Sequence, residues 1–147
     1  YYICVHEYNS GGGTFNICVT SPPPPPANDN CSGSYSVAVS TTSLCVSSTT
    51  ATSTNATQSL AGCTGNADDD VWFSFTASSI SHLISVTPGT INNAVFEVFT
   101  GTCAGLTTYS CVNNTTGTSV ESSVIDGLTI GNTYFVRVYS NGNLRCL

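Results

Sequence analysis

Apolar and polar residues alternate with a period of two along most of this chain, and no segment repeats at the helical period of 3.6. Val71-Trp72-Phe73-Ser74-Phe75-Thr76, Leu83-Ile84-Ser85-Val86-Thr87, Ala94-Val95-Phe96-Glu97-Val98-Phe99 and Tyr134-Phe135-Val136-Arg137-Val138-Tyr139 each predict a strand with one face turned to a core. Weaker strands are expected over 35–39, 42–46, 119–125 and 144–147. Turn residues separate them: Pro88-Gly89, Gly101, Asn113-Asn114, Asp126-Gly127, Gly131-Asn132 and Asn141-Gly142. About seven to nine short antiparallel strands at this spacing predict an all-β, jelly-roll-like antiparallel β-sandwich. The polar, low-complexity stretch 48–58 reads as a long surface loop.

A second pattern overlies the first. Tyr1-Tyr2-Ile3-Cys4-Val5 returns as Tyr134-Phe135-Val136-Arg137-Val138, and the echo extends through a turn to Phe15-Asn16-Ile17-Cys18-Val19 in one copy and Asn143-Leu144-Arg145-Cys146-Leu147 in the other. One closing β-hairpin thus occurs twice with a single domain between the copies, the signature of a repeat cut out of phase. Residues 1–20 are expected to be an extra N-terminal hairpin, either the tail of a preceding module or a piece that completes a neighbour. Pro22–Pro26 lie within 21–27, which forms a stiff polyproline spacer of about 3 Å per residue. Residues 28–147 form the sandwich module. Tyr1, Tyr2, Tyr8 and Phe15 are the expected assembly contacts.

Composition narrows the partners. Charged residues make up 7% of the chain, its two basic residues are Arg137 and Arg145, and the net charge is −6. Nucleic acid and anionic membranes require clustered Lys and Arg, so neither is an expected partner. No run of about 18 apolar residues is present to span a bilayer. The surface is hydroxyl-rich, and Asn55 and Asn114 lie in N-x-[S/T] patterns that would accept glycan in a suitable host. Eight cysteines with no C-x-x-C pair read as disulfides made in an oxidising, extracellular compartment, at the cell surface or in the medium. Spacing favours Cys103–Cys111 around a short Gly-containing turn, Cys4–Cys18 across the N-terminal hairpin, Cys45–Cys63 around the 48–58 loop, and Cys31–Cys146 at the module's ends. A competing scheme links Cys31 or Cys146 to Cys4 or Cys18 of a neighbour.

Candidates for catalysis are poor. His6 and His82 are the only histidines, no G-x-S-x-G elbow exists, and Glu97 alternates with Phe96 and Val98, which puts it on the solvent face. Glu97 and Glu121 therefore make an unconvincing glycosidase pair, and the chain is not expected to be an enzyme. Asp68-Asp69-Asp70 is the densest charge. Three adjacent carboxylates repel one another, and a hard cation such as Ca²⁺ would relieve that repulsion; an Asx-turn at the strand entrance is the alternative.

Ala27-Asn28-Asp29-Asn30-Cys31, Asp68-Asp69-Asp70-Val71-Trp72-Phe73-Ser74-Phe75-Thr76, Phe99-Thr100-Gly101-Thr102-Cys103 and the Tyr134–Tyr139 strand together resemble secreted β-sandwich modules of Bacteroidota related to bacterial pre-peptidase C-terminal domains. The resemblance covers about residues 22–147. It implies a non-catalytic secreted module, often in tandem and exported by a type IX route. Related collagen-binding modules hold Ca²⁺ through an N-terminal Asn/Asp segment and the acidic loop, which implicates Asn28, Asp29, Asp68, Asp69 and Asp70. Two functions follow: a structural module of an extracellular array or filament that self-associates through its terminal hairpins, or an accessory module that binds glycan or collagen for a secreted hydrolase.

Overall fold

The computed structural model describes residues 1–8, 11–42 and 44–142. Seven strands follow a short 3-10 turn at Cys31–Gly33: β1 (Tyr35–Ser36), β2 (Val71–Thr76), β3 (Ser81–Val86), β4 (Ala94–Thr102), β5 (Gly105–Val112), β6 (Glu121–Asp126) and β7 (Thr133–Ser140). They form a five-stranded sheet of order β1-β2-β7-β4-β5 and a two-stranded sheet, β3-β6. Every pairing is antiparallel except the two-residue β1–β2 contact. The fold is a β-sandwich, as the alternation dictates.

Between the sheets lies a core of Val71, Phe75, Phe96, Val98, Val112, Ile125, Leu128, Tyr134, Val136 and Val138. Strand β4 is buried at six consecutive residues, Ala94 to Phe99. Alternation alone predicts burial at every second position, so something must cover the other face as well. That cover is the chain between residues 53 and 67 with the turn at Cys31–Gly33. Gly33 lets this cover close down, since a Cβ there would fall 2.1 Å from the Ala27 carbonyl oxygen.

Two disulfides fasten the cover, Cys31–Cys103 and Cys63–Cys111, with Cα separations of 5.5 and 6.2 Å. This corrects the pairings inferred from spacing. Cys103 lies in the turn before β5 and Cys111 near the far end of that strand, so about 20 Å of extended chain separates them. Cys63 is bridged to Cys111, which leaves Cys45 exposed and unbridged. Cys31 is bridged to Cys103, which excludes Cys31–Cys146; Cys146 itself lies outside the described residues. Cys4 and Cys18 are exposed and not joined to each other.

Other expectations shift. The strand expected over 35–39 shortens to Tyr35–Ser36, and that over 119–125 becomes Glu121–Asp126. Residues 42 and 44–46 carry no strand, and 144–147 lie outside the described residues. Residues 1–8 and 11–25 are exposed and carry no strand, so the expected N-terminal hairpin is not formed among the described residues. No helix among the described residues is long and apolar enough to cross a membrane.

Candidate functional site

The outer face of the large sheet carries the chain's most concentrated polar chemistry. Register places Trp72 opposite Arg137, Arg137 opposite Glu97, and Glu97 opposite Cys111, so one row crosses four strands. Arg137 and Trp72 are both 0% exposed. The Arg137 guanidinium donates through Nε and Nη2 to Glu97, through Nη1 to Asp70 Oδ2 at 2.9 Å, and to the carbonyls of Leu60 and Ala61, each at 2.8 Å. Tyr139, Phe99 and Trp72 enclose it, with ring centroids 5.2, 5.6 and 5.8 Å from Cζ. A guanidinium is planar and presents a rigid fork of donors, so it can join two carboxylates and two carbonyls at once. Here it fastens the covering segment to the sheet.

The acidic run does the same from one side. Asp29 accepts from Thr57 N–H and Oγ1–H, Asp69 from Ser53 Oγ–H at 3.1 Å and Ser140 N–H at 2.9 Å, and Asp70 from Ser59 N–H and from Ser59 Oγ–H at 2.7 Å. The Ser59 hydroxyl in turn accepts from Trp72 Nε1–H at 2.9 Å. Three carboxylates thus hold Ser53 and Thr57 of the stretch that reads as a surface loop, and Ser59 just beyond it. Burial pushes the Asp69 carboxyl above its usual range against the hydrogen bonds that lower it. Burial likewise raises Asp70, outweighing Ser59 and Arg137. Asn28, fully buried, pairs with Trp72 through its backbone carbonyl and Nδ2, while its Oδ1 has no partner.

The five residues implicated in calcium binding therefore part company. Asp29, Asp69 and Asp70 are engaged by protein donors. Asp68 accepts from Asn66 Nδ2 at Oδ2, and its Oδ1 is buried without a partner. Cys63, Glu97 and Cys111 approach one another, but the two sulfurs form a disulfide and offer no thiolate.

Catalytic candidates fare no better. Glu97 is 2% exposed and paired with Arg137, a correction to its expected solvent position, because β4 is covered on both faces. Glu121 is buried and accepts from the N–H groups of Asn114 and Thr115. His82 accepts from Ser78 and Ser79 N–H and packs edge-on to Phe75; His6 is exposed in the N-terminal segment. Asn114 is exposed and Asn55, at φ +61, sits at a half-exposed turn. Among aromatics, Trp72, Phe75, Phe96, Phe99, Tyr134 and Tyr139 are all buried, whereas Tyr1, Tyr2, Tyr8 and Phe15 are exposed. Two shallow, open depressions lie along the covered face beside Leu60, Leu106 and the Cys31–Cys103 bridge, with no exposed aromatic in them.

Arg137 escaped the sequence reading as a functional position. Its signal was available: a lone arginine inside an otherwise apolar strand, in a domain with almost no basic residues, has to find buried carboxylates.

No curated protein and no solved structure shows a significant match to the chain. A family model described as galactose binding domain-like, associated with the type IX secretion system, matches residues 27–145, the whole sandwich with its Asn28–Cys31 opening and acidic run. The chain therefore belongs to the galactose binding domain-like family associated with type IX secretion.

Proposed function

We propose that this protein is a structural module of an extracellular array, joined to its neighbours through residues 1–20. The observation that carries this reading is the contrast between the two parts of the chain. The sandwich buries most of its large aromatics, while Tyr1, Tyr2, Ile3, Val5, Tyr8, Phe15, Ile17 and Val19 are all exposed on a segment without strand pairing. So many exposed apolar side chains in one segment suit an interaction surface, and a segment that joins a sheet as a strand gains main-chain hydrogen bonds. The small sheet offers a receptive surface: Leu83 and Val124 face each other across β3 and β6 at 62% and 54% exposure, with Ile80 and Ile130 also exposed. Self-association through the terminal segment then yields a filament or tandem array, with the proline run as spacer.

Glycan or collagen binding is the second reading. It draws on the galactose binding domain-like family and on the motif resemblance to pre-peptidase C-terminal modules. Against it, the exposed strand aromatic Tyr109 already packs edge-on to Tyr134 and gives its hydroxyl to the Asp126 carbonyl, which leaves it poorly placed to stack on a sugar. Sedimentation of the unreduced full chain, beside a variant carrying Ile3→Ser, Phe15→Ser and Ile17→Ser, tests the proposal. Concentration-dependent association that the variant loses supports it. A chain that stays monomeric at hundreds of micromolar refutes it and directs attention to glycan binding.

A further inference from the structure

In the small sheet β3 pairs only with β6, so each strand turns one edge outward. Side chains from β5 and the residues after it close the outer edge of β6: Tyr109 Oη–H donates to the Asp126 carbonyl at 2.6 Å, and Asn114 Nδ2–H to the Ser122 carbonyl at 3.4 Å. Those carbonyls therefore point away from β3. In an antiparallel ladder, a residue that turns its polar groups away from its partner faces one that does the same. The register opposes Asp126 to Ser81, Val124 to Leu83 and Ser122 to Ser85. The Ile80 carbonyl, which accepts from Leu128 N–H at 2.9 Å, keeps the even-numbered residues turned toward β6. The N–H and C=O groups of Leu83 and Ser85 thus lie on the outer edge of β3, with no hydrogen-bond partner among the described residues.

Strand edges are ordinarily protected by charge, by proline, by a bulge or by shortness. The two edges of the large sheet have such protection: β5 meets β4 with a register shift at Val98/Phe99, and β1 is two residues long. Strand β3 has none. Ser81-His82-Leu83-Ile84-Ser85-Val86 keeps regular register and contains no proline, carboxylate, lysine or arginine. Its His82 ring is occupied with Ser78 and Ser79 N–H. Leu83 is 62% exposed, and Val124 beside it 54%.

Such an edge suits an uncharged segment in which apolar residues alternate, and the chain carries one. Thr14-Phe15-Asn16-Ile17-Cys18-Val19 has no charged residue, and Phe15, Ile17 and Val19 are exposed at 63%, 58% and 78%. It forms no strand within its own copy, and Pro22–Pro26 hold it off its own sandwich at about 3 Å per residue. We propose that residues 14–19 of a second copy dock on the open edge of β3 as a third strand of the small sheet. Docking there rests on assembly through residues 1–20 and names the edge that receives it. Leu83 and Ser85 supply the main-chain hydrogen bonds. Phe15, Ile17 and Val19 turn inward beside Ile84 and Val86, which are half-buried against the core, and Asn16 and Cys18 stand outside with Leu83 and Ser85. A segment given to one neighbour while β3 receives from another makes a head-to-tail contact, which extends into an array.

Two experiments on the full chain test the edge. In the first, sedimentation compares the wild type with Ser85→Pro, which removes an outward N–H and leaves the β3–β6 ladder intact, and with Leu83→Lys, which adds the charge the edge lacks. Near-ultraviolet circular dichroism establishes that each is folded. In the second, Leu83→Cys, Ser85→Cys and, on the β5 edge, Thr107→Cys are each placed in a chain that carries Cys4→Ser, Cys45→Ser and Cys146→Ser and keeps Cys18. Diamide then oxidises the thiols, taking up two electrons and two protons per disulfide, and a non-reducing gel reads interchain dimers. Association weakened at least about tenfold in both edge variants, with dimers trapped at Leu83→Cys or Ser85→Cys and not at Thr107→Cys, supports the docking. Wild-type association in Ser85→Pro and Leu83→Lys, or trapping at Thr107→Cys alone, overturns it while assembly through residues 1–20 stands. A wild-type chain that stays monomeric overturns both.

Discussion

Replacing Arg137 by Met tests how the covered face is held together. Methionine fills much of the same volume but leaves Glu97 and Asp70 without their cation, and the Leu60 and Ala61 carbonyls without a donor. Breaking a buried ion pair by removing one partner costs about 3–5 kcal/mol, because the remaining charge is stranded in a poorly polarisable environment. Against a typical domain stability of about 5–15 kcal/mol, the loss is large but leaves a folded population. Desolvation, more than lost attraction, accounts for the cost, so removing the stranded charges as well should restore stability. The triple variant Arg137→Met, Glu97→Met, Asp70→Asn is therefore expected to be more stable than Arg137→Met alone by at least about 2 kcal/mol. The amide introduced by Asp70→Asn still offers an oxygen to Ser59. Urea unfolding with the disulfides intact gives both numbers, and Trp72, the only tryptophan, reports directly because it lies in the same row and hydrogen-bonds Ser59. A cost below about 1 kcal/mol for Arg137→Met, or a triple variant no more stable than the single one, would refute this account.

Peptide mapping of the unreduced protein should recover Cys31 with Cys103 and Cys63 with Cys111; a Cys103–Cys111 peptide would contradict the fold. The Cys31–Cys103 bridge closes the longer segment, with a separation of 72 residues, and replacing both cysteines by serine should cost roughly 3–4 kcal/mol in chemical denaturation. Gly65→Ala combines a strained φ with a collision against Asn141 and is expected to destabilise by about 2 kcal/mol or more, measured as a shift in urea midpoint at constant slope. The raised carboxyl of Asp69 fixes a sign for pH. The folded chain binds this proton more tightly than the unfolded chain, so the group's contribution to stability falls as pH rises from 3.8 through its raised value and recovers on acidification. The stability difference between the wild type and Asp69→Asn should therefore move in favour of the wild type between pH 7 and pH 4; movement the other way rules out desolvation as the dominant cause.

Local pattern determined the architecture. A period-two alternation in four strong segments admits a strand and not a helix, and turn residues at short intervals favour antiparallel neighbours, so the sandwich and its main strands were readable directly. The cysteine count indicated disulfides and an oxidising compartment for the same reason: composition is local information. Pairing was not readable, because Cys103 and Cys111 are close in sequence yet a strand's length apart, while Cys31 meets Cys103 from 72 residues away. Nor was the burial of Glu97 and Arg137. Alternation assigns residues to two faces but cannot say that a serine- and threonine-rich stretch folds back over the second one, since the carboxylates that hold it, on Asp29, Asp69 and Asp70, lie outside the stretch on either side. Strand propensity and face are written residue by residue; which groups meet across separations of 40 to 77 residues is decided only when register and cover are fixed in three dimensions.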